Sequence, residues 1–188
     1  MTAQSDSRPS LEVFADVWCP FAHVGLRAVA AERIRRGYRD VPLLIRAWPL
    51  EFVNGAPMNP AKTADHVLHL REQFTPDMFA GLDTTDFPTT TVPVLALTAR
   101  AYRRSTELGE LVAFAVRDAL FEEGRNIARP EEISRIAERF GTGLPDADDI
   151  AGVTADWHEG QQRGVIGSPH FFCGPAHAFC PSLAISRD

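Results

Sequence analysis

Leu11-Glu-Val-Phe-Ala-Asp-Val-Trp18 runs directly into Cys19-Pro-Phe-Ala-His-Val-Gly-Leu-Arg27. The first eight residues are apolar and β-prone, with the length of one strand. The next stretch carries Pro20 where a first helical residue belongs. That position tolerates proline because its missing N–H has no helical acceptor to lose. Cys19 therefore falls at or next to a helix N-cap, among backbone N–H groups that the helix leaves unpaired. A thiol in that field is biased toward thiolate, the form that attacks disulfides. The expectation is a pKa below the ~8.5 of a free thiol and labelling ahead of Cys173 and Cys180.

Moving outward, residues 20–36 read as a helix ending near Gly37, and Val41 to Trp48 as a second apolar strand stopped by Pro49. Strand, helix, strand at this spacing is a βαβ unit with parallel strands. Pro49 to Pro60 has loop chemistry, including an Asn54-Gly55 turn. Helices are expected from Lys62 to Phe74, Val94 to Tyr102 and Leu108 to Phe121, the last burying Leu111, Phe114, Ala115 and Ala119. Further helices are expected over 129–140 and 146–163, the latter burying Ile150, Val153 and Trp157. Asp83 to Pro93 should be irregular. Gly164-Val-Ile-Gly-Ser-Pro169 is a loop that feeds a strand, His170 to Cys173. Gly174-Pro175 turns the chain, and Ala178-Phe-Cys180 returns as a hairpin partner.

The chain has 188 residues, a net charge of −6 and 45% hydrophobic residues, enough for one domain with a real core. Nothing in the charge pattern points to nucleic acid, and Arg35-Arg36 reads as a solvated helix end. The polar start, Met1 to Ser10, lacks the apolar core of a signal peptide. No apolar run approaches the ~20 residues of a membrane span. Three cysteines, an odd number, point to the cytoplasm and away from a disulfide framework.

Residues 11–27, the Trp48-Pro-Leu-Glu51 step, the helical middle and Gly164 to Pro169 together resemble the DsbA-like family of the thioredoxin superfamily. The likeness is to its cytoplasmic bacterial branch, whose relatives include 2-hydroxychromene-2-carboxylate isomerases and kappa-class glutathione transferases. It implies one α/β domain over 1–188 with a thioredoxin-like fold. A helical insertion over about 60–163 would separate the βαβ half from the ββ(α) half. Nothing after Leu183 has the length of the usual closing helix. The resemblance further implies that Pro169 is cis, that its loop packs on Cys19, and that the backbone of Ser168 pairs with a bound thiol or peptide. Pro20, Phe21, Ser168, Pro169 and His170 are the implied substrate-binding residues around the catalytic Cys19. The family's second cysteine maps onto Ala22.

Losing that cysteine changes the chemistry. A single thiol can form a mixed disulfide, but an outside thiol must release it. This suits monothiol exchange with a protein or small-molecule partner, with no required cofactor and glutathione as a candidate co-substrate. The alternatives are a glutathione-dependent isomerase or transferase, and a binding module without turnover. Cys173 and Cys180 read as core cysteines, Cys180 with a second reading as a distal resolving thiol. His23, one turn after Cys19, reads as a helix-face histidine. His66, His69 and Glu72 read as a solvated helix face, with a metal site as the rarer reading. Trp157 reads as core, and Trp48 to Pro60 as a candidate roof over the cleft. Oligomeric state and substrate have no signal in the sequence.

Overall fold

The computed structural model describes residues 11–179. Cys180, Leu183 and the place of a closing helix lie outside these residues. Four strands, β1 (Leu11–Ala15), β2 (Leu43–Ala47), β3 (His170–Cys173) and β4 (Ala176–Phe179), form one sheet in the order β2-β1-β3-β4. β1 and β2 are parallel, joined by α1 (Pro20–Arg35), as the βαβ reading requires. β3 runs antiparallel to β1, and β4 antiparallel to β3. The short α2 (Leu50–Asn54) and the longer α3 (Pro60–Gln73), α4 (Val92–Arg104), α5 (Thr106–Phe121), α6 (Pro130–Phe140) and α7 (Ala147–Gln162) lie between β2 and β3. This is the mixed α/β, thioredoxin-like arrangement that the sequence implied. Among the described residues no helix is long and apolar enough to cross a membrane.

Several boundaries differ from the sequence reading. β1 stops at Ala15, because the Asp16 carboxylate accepts the N–H of Trp18 and turns the chain. Pro49 does not open a pure loop. It caps α2, which ends at Gly55 in the left-handed conformation (φ 66°). On α5 the buried face is Val112, Ala113, Val116, Ala119 and Leu120, while Leu111 is 57% exposed. Ile150 on α7 is likewise exposed, and Val153 carries that face.

The two faces of the sheet are distinct. Val13, Ala15 and Phe171 pack with Cys19, Ala22, Leu26 and Ala113 on one side. Phe14, Trp48 and Val165 pack with Trp157 and Phe172 on the other. β2 is an edge strand, and α4 closes it. The Tyr102 hydroxyl accepts the Ile45 N–H and donates to the Leu43 carbonyl, each at 3.0 Å. The Asp156 carboxylate accepts the Ala47 N–H at 2.9 Å. The Tyr102 ring rests on Gly109, where an added Cβ would overlap it. Gly109→Ala is expected to push the phenol off the strand and lower Tm by roughly 5–10 °C, despite the better helix propensity of alanine. Thermal unfolding tests this, and a variant melting at or above wild type rules out the packing.

Candidate active site

Cys19 is the N-cap of α1, with extended backbone angles (φ −78°, ψ 111°) and Pro20 as the first helical residue. Its Sγ accepts the Ala22 N–H at 3.4 Å, as a helix N-terminus allows. On the other side the Cys19 thiol donates to the Ser168 carbonyl at 3.0 Å. The Ser168–Pro169 peptide bond is cis. A Cβ added to Gly25 would lie 3.6 Å from both the Pro169 and Phe171 rings, so α1 rests directly on this loop and its strand. Cys19, Pro20, Ser168 and Pro169 are thus one cluster, although 149 residues separate Cys19 from Ser168. Phe21 lies beside it, half-buried, with its ring 5.2 Å from that of His66 on α3.

His170 does not join them. It pairs in register with Phe14, so strand alternation points it to the far face. There its ring stacks on Phe172 at 4.7 Å, and its Nε2 lies 3.2 Å from Nδ1 of His177. The Ile166 N–H points at its Nδ1, 3.4 Å away. Trp48 also lies on the far face, 4.3 Å from Trp157, so it does not roof the thiol. From that loop Leu50, which packs against both faces, comes near the site. Among the described residues no cluster of three His, Cys, Asp or Glu side chains is placed to hold a metal ion.

Three charged residues that the sequence reading passed over organise the site. Asp16 is fully buried and ties three loops together. Its N–H donates to the Ser168 hydroxyl at 2.9 Å, and its carboxylate accepts from Trp18 and Leu50. Burial raises its pKa to about 6, against those hydrogen bonds. Arg117 of α5 is 1% exposed. One of its nitrogens donates to the Ala113 carbonyl at 2.6 Å, and its charge acts on Asp16, Tyr102 and Cys19. Burial lowers its pKa to about 10. Glu122 receives the buried His23 at 2.7 Å and the Ala80 N–H at 3.2 Å. His23 sits between Phe79 and Phe121, with ring centroids 5.1 and 4.9 Å away. Burial lowers its pKa to about 4, outweighing Glu122. Phe79 adopts a left-handed conformation (φ 64°), an uncommon state for a bulky residue, and this Glu122–His23 clasp holds it there. An acid in an apolar strand-turn (Asp16) and an arginine within a helix's apolar face (Arg117) are the signals that could have flagged the first two.

The thiol itself corrects the sequence reading. Cys19 is 4% exposed, and burial pushes its pKa up. Hydrogen bonds from Ser168 and Ala22 pull the other way, and the buried Asp16 adds to the rise. Desolvation disfavours the thiolate more than the helix terminus favours it. Cys173, by contrast, is exposed. With a bulky alkylating agent near pH 7, Cys173 is expected to label before Cys19. The pH profile for Cys19 should have its midpoint above that of an ordinary thiol. Peptide mapping checks both, and a midpoint below the ordinary value would show that the helix terminus wins.

No protein-family model matches the chain, and no curated protein sequence matches it. Solved structures do match in fold. A 2-hydroxychromene-2-carboxylate isomerase is 15% identical with a TM-score of 0.65, covering 92% of this chain and 90% of its own. The cytosolic disulfide reductase DsbM from Pseudomonas aeruginosa is 16% identical with a TM-score of 0.65, covering 90% and 87%. The same reductase has also been solved with GSH. A probable DsbA oxidoreductase from Streptomyces coelicolor is 21% identical with a TM-score of 0.67, covering 90% and 82%. The chain has the DsbA-like form of the thioredoxin fold.

Proposed function

We propose that the chain is a thiol–disulfide oxidoreductase with Cys19 as its single nucleophile and glutathione as a partner. The contact that carries this reading is the 3.0 Å approach of Cys19 Sγ to the Ser168 carbonyl, at a helix N-cap with Ala22 where a second thiol would sit. In the resting site the carbonyl holds the thiol proton. A bound disulfide is attacked by Cys19 sulfur. One Cys19–S–S–R bond forms, the partner's S–S bond breaks, and the proton leaves with the released thiol. A second, external thiol then attacks the mixed disulfide and restores Cys19. The Asp16 N–H fixes Ser168, and the Ala22 N–H faces the sulfur that develops charge. A disulfide reductase of this fold solved with GSH supports a small-thiol partner. This reading places the protein in a glutathione-containing compartment, the cytoplasm.

Incubation with oxidised glutathione followed by mass spectrometry is the test. One glutathionyl group on Cys19, absent in Cys19→Ser, is expected. An adduct confined to Cys173 or Cys180 overturns the assignment. The raised Cys19 pKa favours one further reading. A protonated, buried thiol can hold the sulfur of glutathione without exchanging with it, as an isomerase or transferase would need. That reading gains if glutathione binds Cys19→Ser as tightly as wild type and no adduct forms.

A further inference from the structure

Between the edge strand β2 and the helices beside it lies a cavity of about 330 Å³, which shares Arg117 with the surroundings of the thiol site but is not lined by Cys19, Ser168 or Pro169. Apolar surface predominates in it, with Ile45, Leu95, Ala99 and Gly152 in the walls, and Tyr102 and Arg117 line it beside several paired or exposed charges. That volume is at the lower end of small-molecule sites.

Arg117 is the unexplained group. A guanidinium has five N–H donors and cannot shed its charge by deprotonating in a protein. Here it makes a 2.6 Å bond to the Ala113 carbonyl, while its buried Nε and Nη2 have no hydrogen-bond partner among the described residues. Leaving such donors unmatched in an interior is costly, more so on a cation. Asp16 acts on the guanidinium through its charge, but no hydrogen bond joins the two, and its oxygens accept from Trp18 and Leu50. The other cavity charges are already placed. Asp156 takes Ala47 and Arg46, Arg103 pairs with Asp149, and Asp148 is exposed.

We propose that this cavity binds a small monocarboxylate with an apolar body, its carboxylate on Arg117. The guanidinium fork matches a carboxylate in two parallel bonds. The apolar walls match the ligand's body. Arg46 and Arg103 of the wall are tied to Asp156 and Asp149, which leaves the unmatched donors of Arg117 as a place for one carboxylate rather than for a dianion such as phosphate.

Thermal unfolding with phenylacetate, its neutral amide phenylacetamide, and inorganic phosphate tests the site. Phenylacetate should raise Tm saturably, by about 3–6 °C at about tenfold excess over Kd. The amide and phosphate should not. In Gly152→Leu a side chain grows into the cavity from a position where a new Cβ meets only Ala99, at 3.9 Å. This variant should fold and lose the shift. Arg117→Met should lose the preference for acid over amide, and if it fails to fold, Gly152→Leu alone decides. The proposal is overturned by no saturable shift, by an equal shift with the amide, by a shift with phosphate alone, or by a shift retained in Gly152→Leu. Arg117 also acts on Cys19, so independence rests on wild type and Gly152→Leu: their shifts do not bear on the Cys19 adduct, and the two readings fail separately.

Discussion

Ala22→Cys is expected to turn a long-lived glutathione adduct on Cys19 into a transient one. In wild type the mixed disulfide has no neighbouring thiol among the described residues to expel glutathione, so release should wait for a thiol from solution. Ala22 is fully buried one helical turn along, its N–H 3.4 Å from Cys19 Sγ. It packs against the same cluster as Leu26, Ala113 and Phe171. A cysteine there adds one heavy atom, a small overpacking. Well-placed intramolecular groups act at effective molarities of order ~10⁵ M, so release should accelerate by several orders of magnitude. Acid quenching and mass spectrometry against time measure it. An adduct that persists equally in both proteins would show that the introduced sulfur does not reach Cys19. Rapid turnover of a dithiol substrate by wild type would mean that another cysteine resolves the intermediate, with Cys180 the first to replace.

The second large effect concerns acid. His23, lowered from 6.5 to about 4, is held neutral in the fold, so its contribution is lost as pH falls through that interval. Asp16, raised from 3.8 to about 6, has the opposite sign: its contribution is full below 3.8 and is lost as pH rises toward 6. In wild type the two oppose each other between pH 4 and 6.5. Asp16→Asn removes one of them. Relative to wild type, the variant should lose a further ~2 kcal/mol between pH 7 and pH 4.5. That corresponds to a urea midpoint lower by about 1 M. Other carboxylates titrate in both proteins and cancel in the difference. Parallel pH profiles for the two proteins would mean that Asp16 is not a proton-binding group of the fold.

What the sequence disclosed was what local chemistry encodes. Pro20 after an apolar strand located α1 and made Cys19 its cap. The spacing of the two apolar runs gave the parallel pair, and Gly174-Pro175 gave the hairpin. The meeting of Cys19 with Ser168 and Pro169 is long-range, and only the family resemblance anticipated it. The remaining differences have physical causes. His170 follows Pro169 in the chain, yet a strand turns alternate residues to opposite faces. Leu111 looked like a core residue because its neighbours are apolar, but tertiary packing chose the face of Val112 and Val116. The helix end alone predicts a lowered Cys19 pKa, and burial, which has no local signature, outweighs it. The burial of Arg117 and Asp16 follows from packing between distant elements, which their apolar neighbours hint at but do not fix.

The closure of β2 by Tyr102 and Asp156 also bears on how copies of this chain behave toward one another. An open sheet edge is a template for a neighbouring molecule's strand, and the usual outcome is self-association. Here the phenol occupies the Leu43 carbonyl and the Ile45 N–H, and the carboxylate occupies the Ala47 N–H. Side chains, not another strand, complete that row. The protection is bound to the packing of α4 and α7 against the sheet, so whatever loosens those helices exposes a sticky border as well as a weakened core.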